Sequence, residues 1–133
     1  MKVTLETTDS LKQYVAKNED GHTVQLSGDG TAAGPMQTVL MAVAGCSTID
    51  IVMILEKMRQ KVTNIKVEVD GTRREEIPRV YTKIHIHYKI YGKVKEAKAK
   101  QAMDLSLEKY CSVSKMLEKA AEISGSFEII EEE

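Results

Sequence analysis

The sequence predicts an α+β fold, because its strands and helices come in separate runs rather than in regular alternation. Alternating apolar and polar residues fill the first 30 positions and return in two long stretches near the middle of the chain. Between them, and again after residue 93, the apolar spacing becomes helical. At 133 residues the chain suits one domain with a single core, so residues 1–133 are read as one unit.

Each element has its own local cause. "KVTLETT" sets Val3 and Leu5 against charged or hydroxyl neighbours, and "QYVAK" and "TVQLS" flank a turn at Asp20-Gly21. "SGDGTAAGP" lacks the spacing of a phosphate-binding loop and reads as a connection into Pro35, a residue suited to a first helical turn. From Met36 to about Lys61 the pattern predicts a long helix, interrupted at Gly45 and apolar on nearly every side, with Met36, Met41, Met53 and Met58 as core filler.

Two strands follow, "VTNIKVEVDG" and "RVYTKIHIHYKIYG", joined by a turn from Asp70-Gly71 through Pro78. In the second, Ile84, Ile86, Tyr88 and Ile90 share one face, and Lys83, His85, His87 and Lys89 share the other. Residues 93–110 predict a helix burying Ala99, Met103, Leu107 and Tyr110. A second helix after Cys111 turns Val113, Met116, Leu117 and Ala120 inward and stops near Gly125. "SFEIIEEE" closes as a strand.

Composition narrows the function classes. Net charge is -1 with both signs spread along the chain, which argues against a nucleic-acid partner. The N-terminus has no apolar signal region, so the expected location is cytoplasmic. The apolar stretch Val39 to Leu55 is interrupted by Ser47, Thr48 and Asp50 and falls short of the roughly 20 residues of a membrane span. Two cysteines make no disulfide framework; in a reducing compartment such a pair is catalytic, redox-active or simply buried.

Cys46 and Cys111 are the residues on which chemistry would centre. If Gly45 breaks the long helix, Cys46 begins a new helical segment, and free amides there favour a thiolate. Asp50, four residues on, shares its helical face and opposes that effect. Cys111 lies at a helix junction with Ser112 as N-cap. His85 and His87 lie on one strand face between Lys83 and Lys89, a solvated face rather than a metal site.

"GPMQTVLMAVAGCSTIDIVMILEKMR", "PRVYTKIHIHY" and "EKYCSVSKML" together resemble the OsmC/Ohr superfamily, the osmotically inducible protein C and organic hydroperoxide resistance proteins, in its YhfA-like branch. The resemblance covers nearly the whole chain. It implies an intertwined homodimer with antiparallel sheets around a long buried central helix, and a thiol-dependent peroxidase acting in oxidative stress. Cys46 then matches the peroxidatic cysteine and Cys111 the resolving one, with no bound cofactor or metal and an external dithiol as reductant. The substrate implied is a small hydrophobic peroxide.

The family's thiolate-activating glutamate and arginine have no direct counterparts, since Met36 follows the Pro and no arginine precedes Cys46. Gln37, Arg73, Arg74 and Arg79, the arginines from this or a partner subunit, are the candidates to replace them. Two further readings follow from those departures: a dimeric binding protein for an apolar small molecule, or a redox sensor using the same cysteine pair.

Overall fold

The computed structural model describes residues 1–132. The chain divides into two compact units, Met1–Val39 and the residues from Leu40 onward. In the first, β1 (Thr4–Thr7), β2 (Gln13–Lys17) and β3 (Thr23–Ser27) form an antiparallel meander in that order. The β2–β3 turn forms where Asp20-Gly21 predicts it. Gly21 takes φ 86°, and Asn18 Oδ1 accepts from the amides of Asp20 and His22.

Helix α1 (Pro35–Lys57) starts at Pro35, as its sequence predicts. The Gly34 amide donates to Gln37 Oε1 at 2.9 Å, so Gln37 closes the helix start in the manner of a capping box. The helix does not break at Gly45. It runs unbroken for 23 residues and by length and composition is long and apolar enough to cross a membrane, unlike the shorter run read from the sequence. Nor is it covered all round. Val43, Ser47, Ile51 and Leu55 are buried at four-residue intervals, while Met41, Gly45, Ile49 and Met53 form an exposed stripe.

The second unit holds the sheet β4 (Lys61–Arg73), β5 (Tyr81–Lys93) and β6 (Glu122–Ile130), in that order. Its inward face aligns Val67, Tyr88 and Phe127 across the three strands, with Val69, Ile86 and Gly125 beside them. The α+β class holds, but the sheet is not wholly antiparallel, because β5 and β6 run parallel. Between them lie α2 (Glu96–Leu105), a π-helical turn (Ser106–Tyr110) and α3 (Ser112–Leu117), which carry the chain back to the starting end of β5.

Two glycines mislead the sequence reading for one steric reason. Gly71 lies inside β4 rather than in a turn, because a Cβ there would stand 2.5 Å from the Tyr81 ring. Gly125 lies inside β6 rather than ending a helix, because Leu107 and Met103 occupy its side-chain space, at 2.7 and 3.0 Å. The turn therefore falls at residues 74–80, and α3 is only six residues long. The helical spacing turns Met116, Ala120 and Tyr110 inward, but Met116 inside α3 and Ala120 beyond it are exposed, and Tyr110 is half exposed.

Candidate functional site

The two cysteines meet in the second unit, on α1 and at the start of α3. Cys46 sits at the midpoint of α1 and is half-buried, so the terminal helix amides invoked for it are already bonded within the helix. Cys111 is fully buried and is itself the N-cap of α3, the place assigned to Ser112 from sequence. Its Sγ accepts from the Ser114 amide at 3.4 Å. Burial pushes the Cys111 thiol up, the Ser114 amide and hydroxyl draw it down, and the neighbouring Cys46 sulfur raises it again by hydrogen bond and charge.

Serines and one tyrosine pin the helices that carry these sulfurs. Tyr88 projects from the buried face of β5, where an otherwise isoleucine row leaves its hydroxyl in need of a partner. That hydroxyl donates to Ser47 Oγ, and Ser47 Oγ donates to Val43 O at 2.8 Å, in the preceding turn of α1. Burial raises the Tyr88 phenol far above the usual tyrosine value; the Ser47 bond opposes this, and Cys111, Asp50 and Cys46 add to it as negative charges.

Ser106, at the head of the π-helical turn, bridges to α1. Its Oγ lies 3.2 Å from both Ser47 O and Asp50 Oδ2, the two acceptors its hydroxyl can serve. The amide of Cys111 donates back to Ser106 O at 2.7 Å, and Ser114 Oγ reaches Leu107 O at 3.1 Å. Ser47, Tyr88, Ser106 and Ser114 thus frame the cysteines, and none was singled out from sequence. Only Tyr88 left a trace there, as the one polar tip in a core-facing row.

Asp50 also lines an apolar cavity of about 480 Å³ with Met53, Ile54, Lys57, Leu105 and Tyr110. Thr48 Oγ1, between Cys46 and Asp50 in sequence, is buried and has no hydrogen-bond partner among the described residues.

The arginines proposed as activators serve the β4–β5 loop. Arg73 Nε donates to Arg79 O at 2.7 Å, Arg74 Nε to Pro78 O at 2.6 Å, and Arg79 Nε to Arg74 O at 3.2 Å. Gln37 caps α1. The structure brings Cys46, Cys111 and Asp50 together, and gives these other four residues local partners instead.

On the outer face of the sheet, His85 Nδ1 lies 2.6 Å from Ser124 Oγ and Nε2 lies 2.8 Å from Ser126 Oγ. His87 Nδ1 lies 2.7 Å from the same Ser126 Oγ, and its Nε2 lies 3.0 Å from Glu128 Oε2. Among the described residues no three His, Cys, Asp or Glu side chains group as a metal site.

Residues 28–125 match the model of the family described as OsmC-like protein. The chain belongs to the OsmC family. Within this family it is 44% identical over 120 residues to protein YhfA of Escherichia coli K12, spanning 88% of this chain and 90% of that protein. Among solved structures, a hypothetical protein from Aquifex aeolicus superposes with a TM-score of 0.91 at 37% identity, over 99% of this chain and 97% of that one. An organic hydroperoxide resistance protein OsmC from Legionella pneumophila shares the OsmC fold at a TM-score of 0.72 and 14% identity, covering 96% of each chain.

Proposed function

We propose that this OsmC-family chain is a thiol-dependent peroxidase that reduces organic hydroperoxides, with Cys46 attacking the peroxide and Cys111 resolving the product. The observation that carries the reading is the mutual placement of the two sulfurs, close enough for one to act on the other by hydrogen bond and charge. The asymmetry between them supports the roles. Cys111 is sealed from solvent with its thiol held protonated, whereas Cys46 is only half-buried.

The Cys46 thiolate would displace on the outer peroxide oxygen, leaving a sulfenic acid and, after protonation, an alcohol. The Cys111 thiol then condenses with that sulfenic acid, forming the disulfide and releasing water. An external dithiol restores both thiols by exchange. The apolar cavity at Asp50 begins one helical turn from Cys46 and would take the organic part of the substrate. The test is peptide mapping after one equivalent of an organic hydroperoxide. A Cys46–Cys111 disulfide within one chain is expected. Cys46 recovered only as sulfinic or sulfonic acid would remove Cys111 from the resolving role.

A homodimer belongs to the same reading. The exposed stripe on α1 includes Met41 at 58%, Ile49 at 63% and Met53 at 50% exposure, more apolar surface than a lone helix usually leaves open. Sedimentation should give a dimer at micromolar concentration, and Ile49→Lys should shift it to monomer.

One observation favours a second reading, a binding protein for an apolar small molecule. Neither sulfur lines the apolar cavity, and the ionisable groups acting on Tyr88 beside the thiols are Cys111, Asp50 and Cys46, with no cation among them. Hydroperoxide turnover no faster than that of a free thiol would select this reading.

A further inference from the structure

A second cavity, of about 510 Å³, lies away from the cysteines, where the C-terminal end of α1 meets the open end of the β4–β5 pair. Arg59, Lys61, Lys93 and Lys95 line it, and among the described residues Glu131 is the only carboxylate that does. Among the described residues none of these four cations is ion-paired. The near-neutral net charge hides this concentration, because the fold assembles it from two stretches more than thirty residues apart.

Three features hold the cations together against ordinary preferences. Lys61 and Lys93 are direct cross-strand partners, an arrangement in which like charges destabilise a sheet. Gly92, at φ 126°, allows the close strand approach, since a Cβ there would fall 2.0 Å from Lys61 O. Arg59 closes α1 at φ 59°, in the left-handed position where glycine is usual. The pattern is a Schellman end, with the Arg59 amide on Glu56 O and the Gln60 amide on Leu55 O, both at 2.9 Å.

Gln60 then ties the two stretches together. Its Oε1 accepts from the Lys95 amide at 2.9 Å, and its Nε2 donates to Met58 O at 3.1 Å. An arginine where glycine fits better, beside two opposed lysines, leaves the local backbone and charge preferences unsatisfied in the same place. An anion in the cavity would resolve the charge conflict.

We propose that this cavity binds a small organic diphosphate. Among the described residues that line the cavity, four cations against one carboxylate leave a positive excess that matches the roughly three negative charges of an ionised organic diphosphate near neutral pH. The volume falls in the range of about 300 to 1,000 Å³ found for small-molecule sites. The Arg59 fork suits two phosphate oxygens, and the lysines serve as point charges around them.

The test is calorimetric titration of the full chain with pyrophosphate, with ADP and with sulfate at low salt. Saturable one-to-one binding of pyrophosphate and ADP is expected, with sulfate at least about tenfold weaker, because it lacks the second phosphoryl group. Lys61→Gln and Lys93→Gln should each weaken binding about tenfold or more. Arg59→Gly should weaken it similarly while raising the melting temperature of the unliganded protein, because glycine accepts φ 59° without strain. Unfolding therefore cannot account for its loss of binding. No saturable binding at millimolar pyrophosphate and ADP would overturn the proposal. So would sulfate binding as tightly as pyrophosphate, or all three variants keeping the parent's affinity.

Discussion

The Tyr88 hydroxyl donates to Ser47 Oγ at 2.5 Å, joining β5 to α1 one residue from Cys46. The bond is buried, and Ser47 passes the chain of donation on to Val43 O within the helix. It therefore fixes the rotation of α1 against the sheet at the turn that carries the sulfur.

Tyr88→Phe keeps the ring and removes that tie. Loss of one buried hydrogen bond should lower stability by about 1 to 2 kcal/mol, read as a lower urea midpoint with an unchanged slope.

Asp50 is the carboxylate nearest along the helix to Cys46, on the same face and within reach of the Ser106 hydroxyl. Asp50→Asn removes the charge but leaves an amide oxygen for the Ser106 hydroxyl, which also keeps Ser47 O as an acceptor. Stability should fall by no more than about 1 kcal/mol, read as a small drop in the urea midpoint. A fall of more than about 2 kcal/mol would show that the crossing of α1 with the π-helical turn needs the carboxylate's charge.

Gly45 and Gly92 should respond in opposite directions to alanine. Gly45 is mid-helix with nothing within 4 Å of a new Cβ, so Gly45→Ala should stabilise the single chain by up to about 1 kcal/mol. At Gly92 a positive φ of 126° combines with a backbone oxygen, Lys61 O, that would stand 2.0 Å from an added Cβ. Gly92→Ala should cost more than about 2 kcal/mol, seen as a clear fall in melting temperature.

Alkaline pH should destabilise the fold through Cys111 and Tyr88, both raised by burial. Below the free-thiol value of about 8.5 folded and unfolded chains hold these protons alike, and their contribution is fully present. As pH rises past the unfolded value, the unfolded chain releases protons that the folded chain keeps, and stability is lost up to the folded value. The slope for each group approaches about 1.4 kcal/mol per pH unit. Melting temperatures should fall from about pH 8.5 upward. Cys111→Ala should flatten the first part of that fall, and Tyr88→Phe the part above about pH 10.

Much of the fold was legible because burial and period coincide. Ile84, Ile86, Tyr88 and Ile90 alternate on β5 as predicted, and α1 starts at Pro35. What escaped was non-local. Gly71 and Gly125 read as punctuation, yet each is a glycine because a side chain distant in sequence occupies its Cβ space. The cysteines stood out as residue types, but the serines around them are common residues given meaning only by the crossing of α1 with the π-helical turn. The arginines named as activators spend their Nε donors on the carbonyls of their own loop, a partnership no spacing rule announces.

The imidazole and hydroxyl contacts along β5 and β6 work as a key for strand register. Glu128, as a carboxylate, can only accept, so His87 must carry its proton on Nε2. With neither ring charged, Ser126 then donates to His87 Nδ1, His85 donates from Nε2 to Ser126, and Ser124 donates to His85 Nδ1. One acid thus sets the direction of four bonds and the tautomer of two rings. Alternation alone cannot tell a strand from the same strand slid by two residues, because every apolar side chain still faces inward. Slid that way, His87 would lie opposite Glu128 with the apolar Ile130 beyond it, and the relay would lose its end point. The parallel seam is thereby held in one alignment by hydrogen atoms on its outer surface.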